Sequence, residues 1–301
     1  MNNSPTFFDP RTLARLKGLP LRARHIVEGY VAGLHRSPYR GFSIEFAEHR
    51  EYAPGDDLRY VDWKVFGRTD KFYLKQYEDE TNLLCYLLVD VSQSMTYRGP
   101  DAALSKLEYA QCCAAALAWI VLHQQDAVGL ATFDDQVRSV LRPSGSPAHW
   151  PQLLEVLERV EATPKTSLSR VLPELAARLT RRGVVIVLSD LFDDVTSLLE
   201  GLKHLRYRRH DVVVMQVLDP AELEFPFEDP QRFLGLEGEP ATQFDARLVR
   251  SAYLDEFARY LAAVRAGCRA QGIDYQLLRT DRPFDVALAA YLHGRLAKVK
   301  P

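Results

Sequence analysis

Cysteine is scarce in this 301-residue sequence, and its four copies form no recognisable pattern. Cys85, Cys112, Cys113 and Cys268 include no C-x-x-C pair, and three of them lie in apolar strand or helix patterns. This usage predicts buried free thiols in a reducing compartment and argues against a disulfide framework or a zinc site. No base neighbours Cys112 and Cys113 in the sequence, so we interpret them as packing residues.

The sequence also lacks long apolar runs and an excess of either charge. The longest strongly apolar stretch, Leu83–Val89, is far shorter than the roughly 20 residues of a membrane span. The first residues have no basic start followed by an apolar segment, unlike a secretory signal. The 38 basic and 40 acidic residues give a net charge of −2, with no overall attraction to nucleic acid or anionic lipid. We predict a cytoplasmic protein that neither binds nucleic acid nor inserts into a membrane.

Common catalytic and nucleotide motifs are missing as well. No G-x-x-x-x-G-K-[ST] phosphate loop and no H-E-x-x-H pair occur. Gly235 and Gly238 lie too far from a strand-to-helix junction to form a dinucleotide loop. Because neither a nucleotide loop nor a general base is recognisable, we predict that the chain binds no nucleotide and is not an enzyme.

What the sequence does contain indicates two parts. Residues 1–80 are predicted to hold an N-terminal helix within Asp9–His35 and a small β-rich module over Phe42–Tyr77, where apolar and charged residues alternate around turn signals. Residues 81–301 alternate strand and helix patterns, which favours an α/β domain with a doubly wound, mostly parallel sheet and helices on both faces. An insertion at about 219–245, rich in Glu and Pro, is interpreted as a hairpin.

Six strands and several helices are predicted in this larger part. The strands are Leu83–Val89, Ala127–Phe133, Val137–Leu141 as an antiparallel edge, Val184–Leu188, Val212–Val217 and Ile273–Leu278. A capping box of Ser105 and Glu108 starts one helix, and others are predicted over about Trp150–Val160 and Leu248–Gln271. A further helix is predicted to follow Thr166 and to end at Arg181 and Arg182, with Gly183 as the glycine after its last turn.

A cluster of oxygen-bearing side chains follows the first strand, in Asp90-Val91-Ser92-Gln93-Ser94. The fourth strand ends in Ser189-Asp190. In a sheet of order 3-2-1-4-5-6 these two strands are neighbours, so Asp90 and Asp190 are predicted to face each other at the carboxyl edge. The loop carrying Thr166 reaches the same edge in that topology.

Two carboxylates and three hydroxyls suit a hard cation, which prefers oxygen ligands, so we predict a site for Mg²⁺, or for Mn²⁺ or Ca²⁺. A ligand shell with few carboxylates leaves the cation able to accept an Asp or Glu from another molecule. The simpler interpretation is that these residues are ordinary loop residues and helix caps.

The D-x-S-x-S run, a distant threonine and a strand-terminal aspartate resemble the metal-ion-dependent adhesion site of von Willebrand factor A-type domains. The matched positions are Asp90, Ser92, Ser94, Thr166 and Asp190. This resemblance implies a von Willebrand factor A-like fold in which a partner completes the coordination of the ion. Lys165 departs from the pattern, because such domains commonly have glycine there, and it would alter the loop or bring a positive charge close to the ion.

A closer resemblance covers nearly the whole chain. It is carried by GLHRSP from Gly33, FAEHREYAPGDDLR from Phe46, YVDWKVFGR from Tyr60 and VLSD from Val187. These segments resemble the domain-of-unknown-function family 58, bacterial proteins often encoded beside MoxR-type AAA+ ATPases. The resemblance implies an adaptor or chaperone-like role with such an ATPase or its client.

Within the β-rich module, one charged and aromatic stretch admits two interpretations. Its residues are Asp56, Asp57, Arg59, Asp62, Trp63 and Lys64. They either form a surface for a partner or an internal network that fixes the module on the main domain, and we favour the network.

Three functions remain open from the sequence. We favour metal-dependent protein binding. The alternative is a metal-dependent phosphoester hydrolase, in which Asp90 and Asp190 hold the ion and an activated water attacks. A purely structural scaffold is the third.

Overall fold

The computed structural model describes residues 9–36, 49–51, 73–75, 83–160, 162, 167–228, 230–236 and 242–284. The chain divides into two compact units, residues 33–82 and the remainder, 1–32 with 83–301. In the smaller unit, β1 (His49–Glu51) pairs antiparallel with β2 (Tyr73–Lys75). The charged and aromatic stretch from Asp56 to Lys64 lies outside the described residues. The predicted boundary near residue 80 stays a prediction. Residues 1–32, which include the first helix and most of the second, belong to the larger unit.

A mixed six-stranded sheet forms the centre of the larger unit. Its strands are β3 (Leu84–Asp90), β4 (Ala127–Phe133), β5 (Val137–Ser144), β6 (Val184–Ser189), β7 (Asp211–Leu218) and β10 (Asp274–Arg279). They lie in the order β5-β4-β3-β6-β7-β10, parallel except for the antiparallel edge strand β5. The predicted strand order and the predicted antiparallel edge are therefore confirmed, and β3 and β6 are neighbours.

Both faces of the sheet are covered, which explains the continuous apolar runs of its central strands. All seven residues of β3 are buried, and the side chains of the first six alternate between the two cores. One core contains residues of α1 (Pro10–Ala14), α2 (Leu19–Arg36), α3 (Lys106–His123) and α4 (His149–Glu158). The other contains residues of α5 (Leu168–Arg178), α6 (Val195–Tyr207) and α8 (Ala246–Ala270). All four cysteines are buried and none forms a disulfide, as predicted.

Local signals account for several helix boundaries. The predicted capping box of Ser105 and Glu108 begins α3. The single N-terminal helix predicted within Asp9–His35 is instead two helices, separated at Gly18, whose φ of 82° requires the left-handed region that glycine adopts readily. Helix α6 was not predicted, although Asp194 caps it and Leu198, Leu202 and Leu205 form its buried face.

The insertion contains the predicted hairpin and one further element. Strands β8 (Pro230–Phe233) and β9 (Thr242–Asp245) pair antiparallel. Before them lies the short helix α7 (Pro220–Glu224), which begins with a capping box of Asp219 and Glu222. This helix was not predicted, and it contributes a residue to the site described below.

The predicted role of Gly183 is wrong. Helix α5 ends at Arg178, and Leu179 leaves it in an extended conformation with its side chain buried, so Gly183 cannot follow the last turn. Its lack of a side chain serves packing instead, because a Cβ there would lie 2.3 Å from the carbonyl oxygen of Leu84. Glycine is thus required where the chain enters β6 against β3.

This close approach yields a stability prediction. Gly183→Ala is expected to lower the free energy of unfolding by about 1 to 3 kcal/mol, because the strand must move to accommodate the methyl group. Gly145→Ala is the control, since the nearest atom to a Cβ there is 3.4 Å away and the residue is exposed. Urea unfolding of both variants checks the prediction, and equal effects would contradict it.

Candidate metal site

The loop after β3 brings three of the predicted residues together. Asp90 ends the strand, fully buried, and one of its carboxylate oxygens accepts a hydrogen bond of 2.9 Å from the backbone N–H of Ser92. A 3-10 turn over Ser94–Thr96 follows, anchored by the buried side chain of Met95. The hydroxyl oxygen of Ser92, two residues before this turn, lies 3.0 Å from that of Ser94. Asp90 and both hydroxyls are therefore held by one short segment.

The end of β6 supplies the opposite side of the site. Val89 is paired with Leu188, so Asp90 lies beside Ser189, whose hydroxyl donates a 2.6 Å hydrogen bond to the second carboxylate oxygen of Asp90. Asp190 follows, 1% exposed, and its backbone carbonyl accepts a hydrogen bond of 2.8 Å from the side chain of Gln216. Asp90 and Asp190 therefore lie at the ends of neighbouring strands, close enough for the charge of Asp190 to raise the pKa of Asp90.

The backbone after Asp190 adopts an unusual conformation. Leu191 has a φ of 62°, a region that leucine rarely occupies, although its side chain is fully buried. Its N–H donates to the Ser189 hydroxyl, and its carbonyl accepts a hydrogen bond from the Tyr260 hydroxyl. Surrounding contacts thus hold a strained residue directly beside the site, a position where such strain is often found in functional loops.

A buried lysine, which the sequence analysis missed, contacts the site. Lys106 is the first residue of α3 and is 0% exposed. Its Nζ lies 2.8 Å from Oδ2 of Asp190 and 2.6 Å from Oε1 of Glu222. Burial alone would lower the pKa of Lys106, but the two carboxylates outweigh this effect and raise it. Lys106 is therefore a permanent cation, and we call Lys106, Asp190 and Glu222 the lysine cluster.

Glu222 reaches the lysine cluster from the insertion. Its other oxygen accepts a 2.8 Å hydrogen bond from the N–H of Asp219, which closes the capping box of α7. Burial raises the pKa of Glu222, and the Lys106 ammonium opposes that shift. The Asp-Pro-x-Glu pattern at 219–222 could have revealed the helix start, but nothing in the sequence links Glu222 to Lys106, which lies 116 residues earlier.

Asp90, in contrast, has no cationic partner among the described residues. Burial, followed by the negative charge of Asp190, raises the pKa of Asp90 from the ordinary 3.8 to about 7, although hydrogen bonds from Ser189 and Ser92 act in the opposite direction. A carboxylate buried without a cation is costly unless one is supplied. A cation bound next to Asp90 would therefore stabilise the ionised carboxylate.

The described donors fit a small divalent cation. Adjacent ligands of an octahedral Mg²⁺, each about 2.1 Å from the metal, lie roughly 3 Å apart, which is close to the 3.0 Å between the Ser92 and Ser94 hydroxyl oxygens. Each Asp90 oxygen accepts one described hydrogen bond and retains further acceptor capacity. Among the described residues, no three His, Cys, Asp or Glu side chains gather into a metal-binding group, so hydroxyl ligands would have to complete the set.

The structure thus places four of the five predicted ligands at one edge of the sheet. Asp90, Ser92 and Ser94 lie in the loop after β3, and Asp190 follows β6. Thr166 and the neighbouring Lys165 lie outside the described residues, so the fifth ligand stays a prediction. Lys106, Glu222 and Ser189 are the members of the site that sequence reasoning did not find.

Comparison with known proteins gives one family and several uncharacterized relatives. Residues 48–263 match the family described as "Protein of unknown function DUF58". The uncharacterized protein Rv1480 of Mycobacterium tuberculosis is 26% identical over 294 residues, which cover 95% of this chain and 90% of the relative. The uncharacterized protein Mb1516 of Mycobacterium bovis gives the same values.

Solved structures with a similar arrangement are more distant. The conserved hypothetical protein BatB from Bacteroides thetaiotaomicron is 18% identical with a TM-score of 0.45, covering 72% of this chain and 99% of that one. The PilB minor pilin from Streptococcus sanguinis is 9% identical with a TM-score of 0.38, covering 75% of this chain and 64% of that one. Within the described part of this chain, no helix is both long and apolar enough to cross a membrane.

Proposed function

The chain belongs to the DUF58 family, and we propose that it binds a protein partner through a divalent-metal site at the carboxyl edge of a von Willebrand factor A-like sheet. The observation that carries this proposal is the pair of hydroxyls of Ser92 and Ser94, 3.0 Å apart, beside the buried carboxylate of Asp90, which lacks a cationic partner among the described residues. When bound, Mg²⁺, Mn²⁺ or Ca²⁺ would supply an electrophilic position for a carboxylate of the partner.

Under this proposal the residues of the site have different roles in binding the ion. Asp90, Ser92 and Ser94 would hold the ion, with Thr166 as the predicted fifth member of the set. Asp190 is already hydrogen-bonded to the Lys106 ammonium, so it would act on the ion chiefly through its charge. The rigid placement of these groups, by β3, β6 and the turn at Ser94, favours binding because little ordering remains to be done.

The surface beside the site fits a protein better than a free metabolite. Phe192, two residues after Asp190, is 38% exposed. Its ring contacts Phe257 and Tyr260 of α8, with centroids 6.1 and 6.5 Å away. An exposed aromatic ring supported by others is typical of protein interfaces. We propose a partner segment that places an acidic side chain at the ion and an apolar side chain on Phe192.

The identity of the partner rests on the family resemblance. We propose a MoxR-type AAA+ ATPase, or a client of that ATPase, met in the cytoplasm, with this chain as an adaptor or chaperone-like subunit. We propose no catalytic step for the chain, because no general base is recognisable among the described residues of the proposed metal site. Metal-dependent phosphoester hydrolysis is the competing function and is tested by the same variant.

The test begins with metal binding and then asks for a partner. Isothermal titration with Mg²⁺ and Mn²⁺ is expected to show binding to the wild type and at least a tenfold loss in Asp90→Ala. That variant removes a charged ligand that has no ion-pair partner among the described residues. Asp255→Ala, which removes an exposed carboxylate of α8, is the control and should bind normally.

The immobilised protein is then exposed to bacterial lysate in Mg²⁺ and in EDTA, and to a purified MoxR-type ATPase. A partner retained only by the wild type and the control, and only in Mg²⁺, supports the proposal. The proposal is contradicted if the same partners are retained in EDTA and by Asp90→Ala. If the wild type hydrolyses a generic phosphoester and Asp90→Ala does not, metal-dependent hydrolysis becomes the favoured function in place of partner binding.

A further inference from the structure

Lys106 places a fixed positive charge beside the candidate metal site. Its ammonium has three N–H donors, and two of them point to carboxylates, of Asp190 at 2.8 Å and of Glu222 at 2.6 Å. The ring of Phe192 lies over the ammonium, 4.6 Å from its centroid. Because the side chain is 0% exposed and held on these sides, the charge cannot withdraw into solvent.

The charge of Lys106 affects how strongly the site binds a divalent ion. Asp90, Asp190 and Glu222 bring three negative charges to the region, and Lys106 compensates one of them. Even where water screens the interaction, a unit charge a few ångströms from a divalent ion changes the binding of that ion by roughly tenfold or more. The lysine cluster must therefore weaken the binding of a divalent ion at Asp90, and it must also leave a bound ion with more of its positive charge uncompensated.

We propose that the charge of Lys106 has two opposite effects on binding. It lowers the affinity of the site for the divalent ion, and it raises the affinity of the bound ion for a carboxylate of the partner. Glu222 acts in the opposite sense, because it competes with Asp190 for the ammonium and adds a negative charge. The inference rests on the proposed function and assigns Lys106 and Glu222 as positioning residues, which contact neither the ion nor the partner.

Two substitutions separate this role from a structural one. Lys106→Met keeps the length of the side chain and removes the charge, so Mn²⁺ should bind roughly tenfold more tightly. Glu222→Gln keeps the shape and the acceptor for the Asp219 N–H but removes a negative charge, so Mn²⁺ should bind roughly tenfold more weakly. General damage to the fold would weaken binding in both variants and cannot produce opposite shifts.

The second readout is the affinity of the Mn²⁺-loaded protein for a simple carboxylate. Acetate is the probe, and its binding is followed by the relaxation of water protons on Mn²⁺. Lys106→Met should weaken acetate binding several-fold, because the ion then faces a more negative environment. A merely structural lysine would not move metal and acetate affinity in opposite directions.

Each outcome decides between the two proposals. If the wild type binds no Mn²⁺, the proposed function fails first. If the wild type binds Mn²⁺ but the two variants shift its affinity in the same direction, or not at all, the role of Lys106 is overturned while metal binding stands. If Lys106→Met does not fold, Glu222→Gln decides alone, and unchanged or tighter Mn²⁺ binding overturns the inference.

Discussion

Lys106→Met is expected to lower the free energy of unfolding in EDTA by about 3 to 5 kcal/mol, because it leaves the buried carboxylates of Asp190 and Glu222 without their cation. Both carboxylates accept hydrogen bonds from backbone N–H groups, which compensate only part of the lost attraction. Domains are usually stable by about 5 to 15 kcal/mol, so a loss of this size leaves most of them folded. Urea unfolding followed by circular dichroism measures the effect.

Lys203→Met is the matched control, since Lys203 is an exposed residue of α6 and should change stability by less than about 0.5 kcal/mol. A second comparison isolates the cause. Adding Asp190→Asn and Glu222→Gln to Lys106→Met removes the uncompensated charges, and stability should then recover substantially. If Lys106→Met is as stable as the control, the lysine cluster is not the buried ion network described here.

Asp90 should give the metal-free protein an unusual dependence of stability on pH. Burial, together with the charge of Asp190, raises the pKa of Asp90 from 3.8 to about 7 in the folded protein. The folded state therefore binds the proton more tightly than the unfolded state, and this stabilisation is fully present only below about pH 4. It is lost as the pH rises through about 7, and the linkage relation gives a loss on the order of 4 kcal/mol.

Asp90→Asn isolates this effect from other titrating groups, because the amide keeps the shape of the side chain and cannot ionise. In EDTA the wild type should lose stability relative to Asp90→Asn between about pH 4 and pH 7. Saturating Mg²⁺ should reduce that loss, since a cation at Asp90 compensates the ionised carboxylate. Parallel curves for the two proteins in EDTA would show that Asp90 is not the titrating group.

The sequence determined the strands, their order and half of the site. Continuous apolar runs such as residues 84–89 are typical of central strands buried on both faces. Local pattern and the rules of parallel sheets therefore suffice to locate them. The same rules bring Asp90 and Asp190 together, because the carboxyl ends of neighbouring parallel strands share one edge. The capping box of Ser105 and Glu108 is equally local, and it begins α3 as predicted.

The buried charges of Lys106 and Glu222 at the site, and the role of Gly183, became visible only in the tertiary structure. At the first turn of α3, Lys106 resembles an ordinary solvent-exposed lysine in the sequence. Its burial follows from α7, whose Glu222 contacts it across 116 residues. Gly183 resembles a helix terminator, yet the backbone of Leu84 on a neighbouring strand is what excludes a side chain there. In both cases the contact that explains the residue is with a group distant in sequence. A local sequence pattern cannot predict such a contact, because it depends on which distant residues the fold brings within 3 Å.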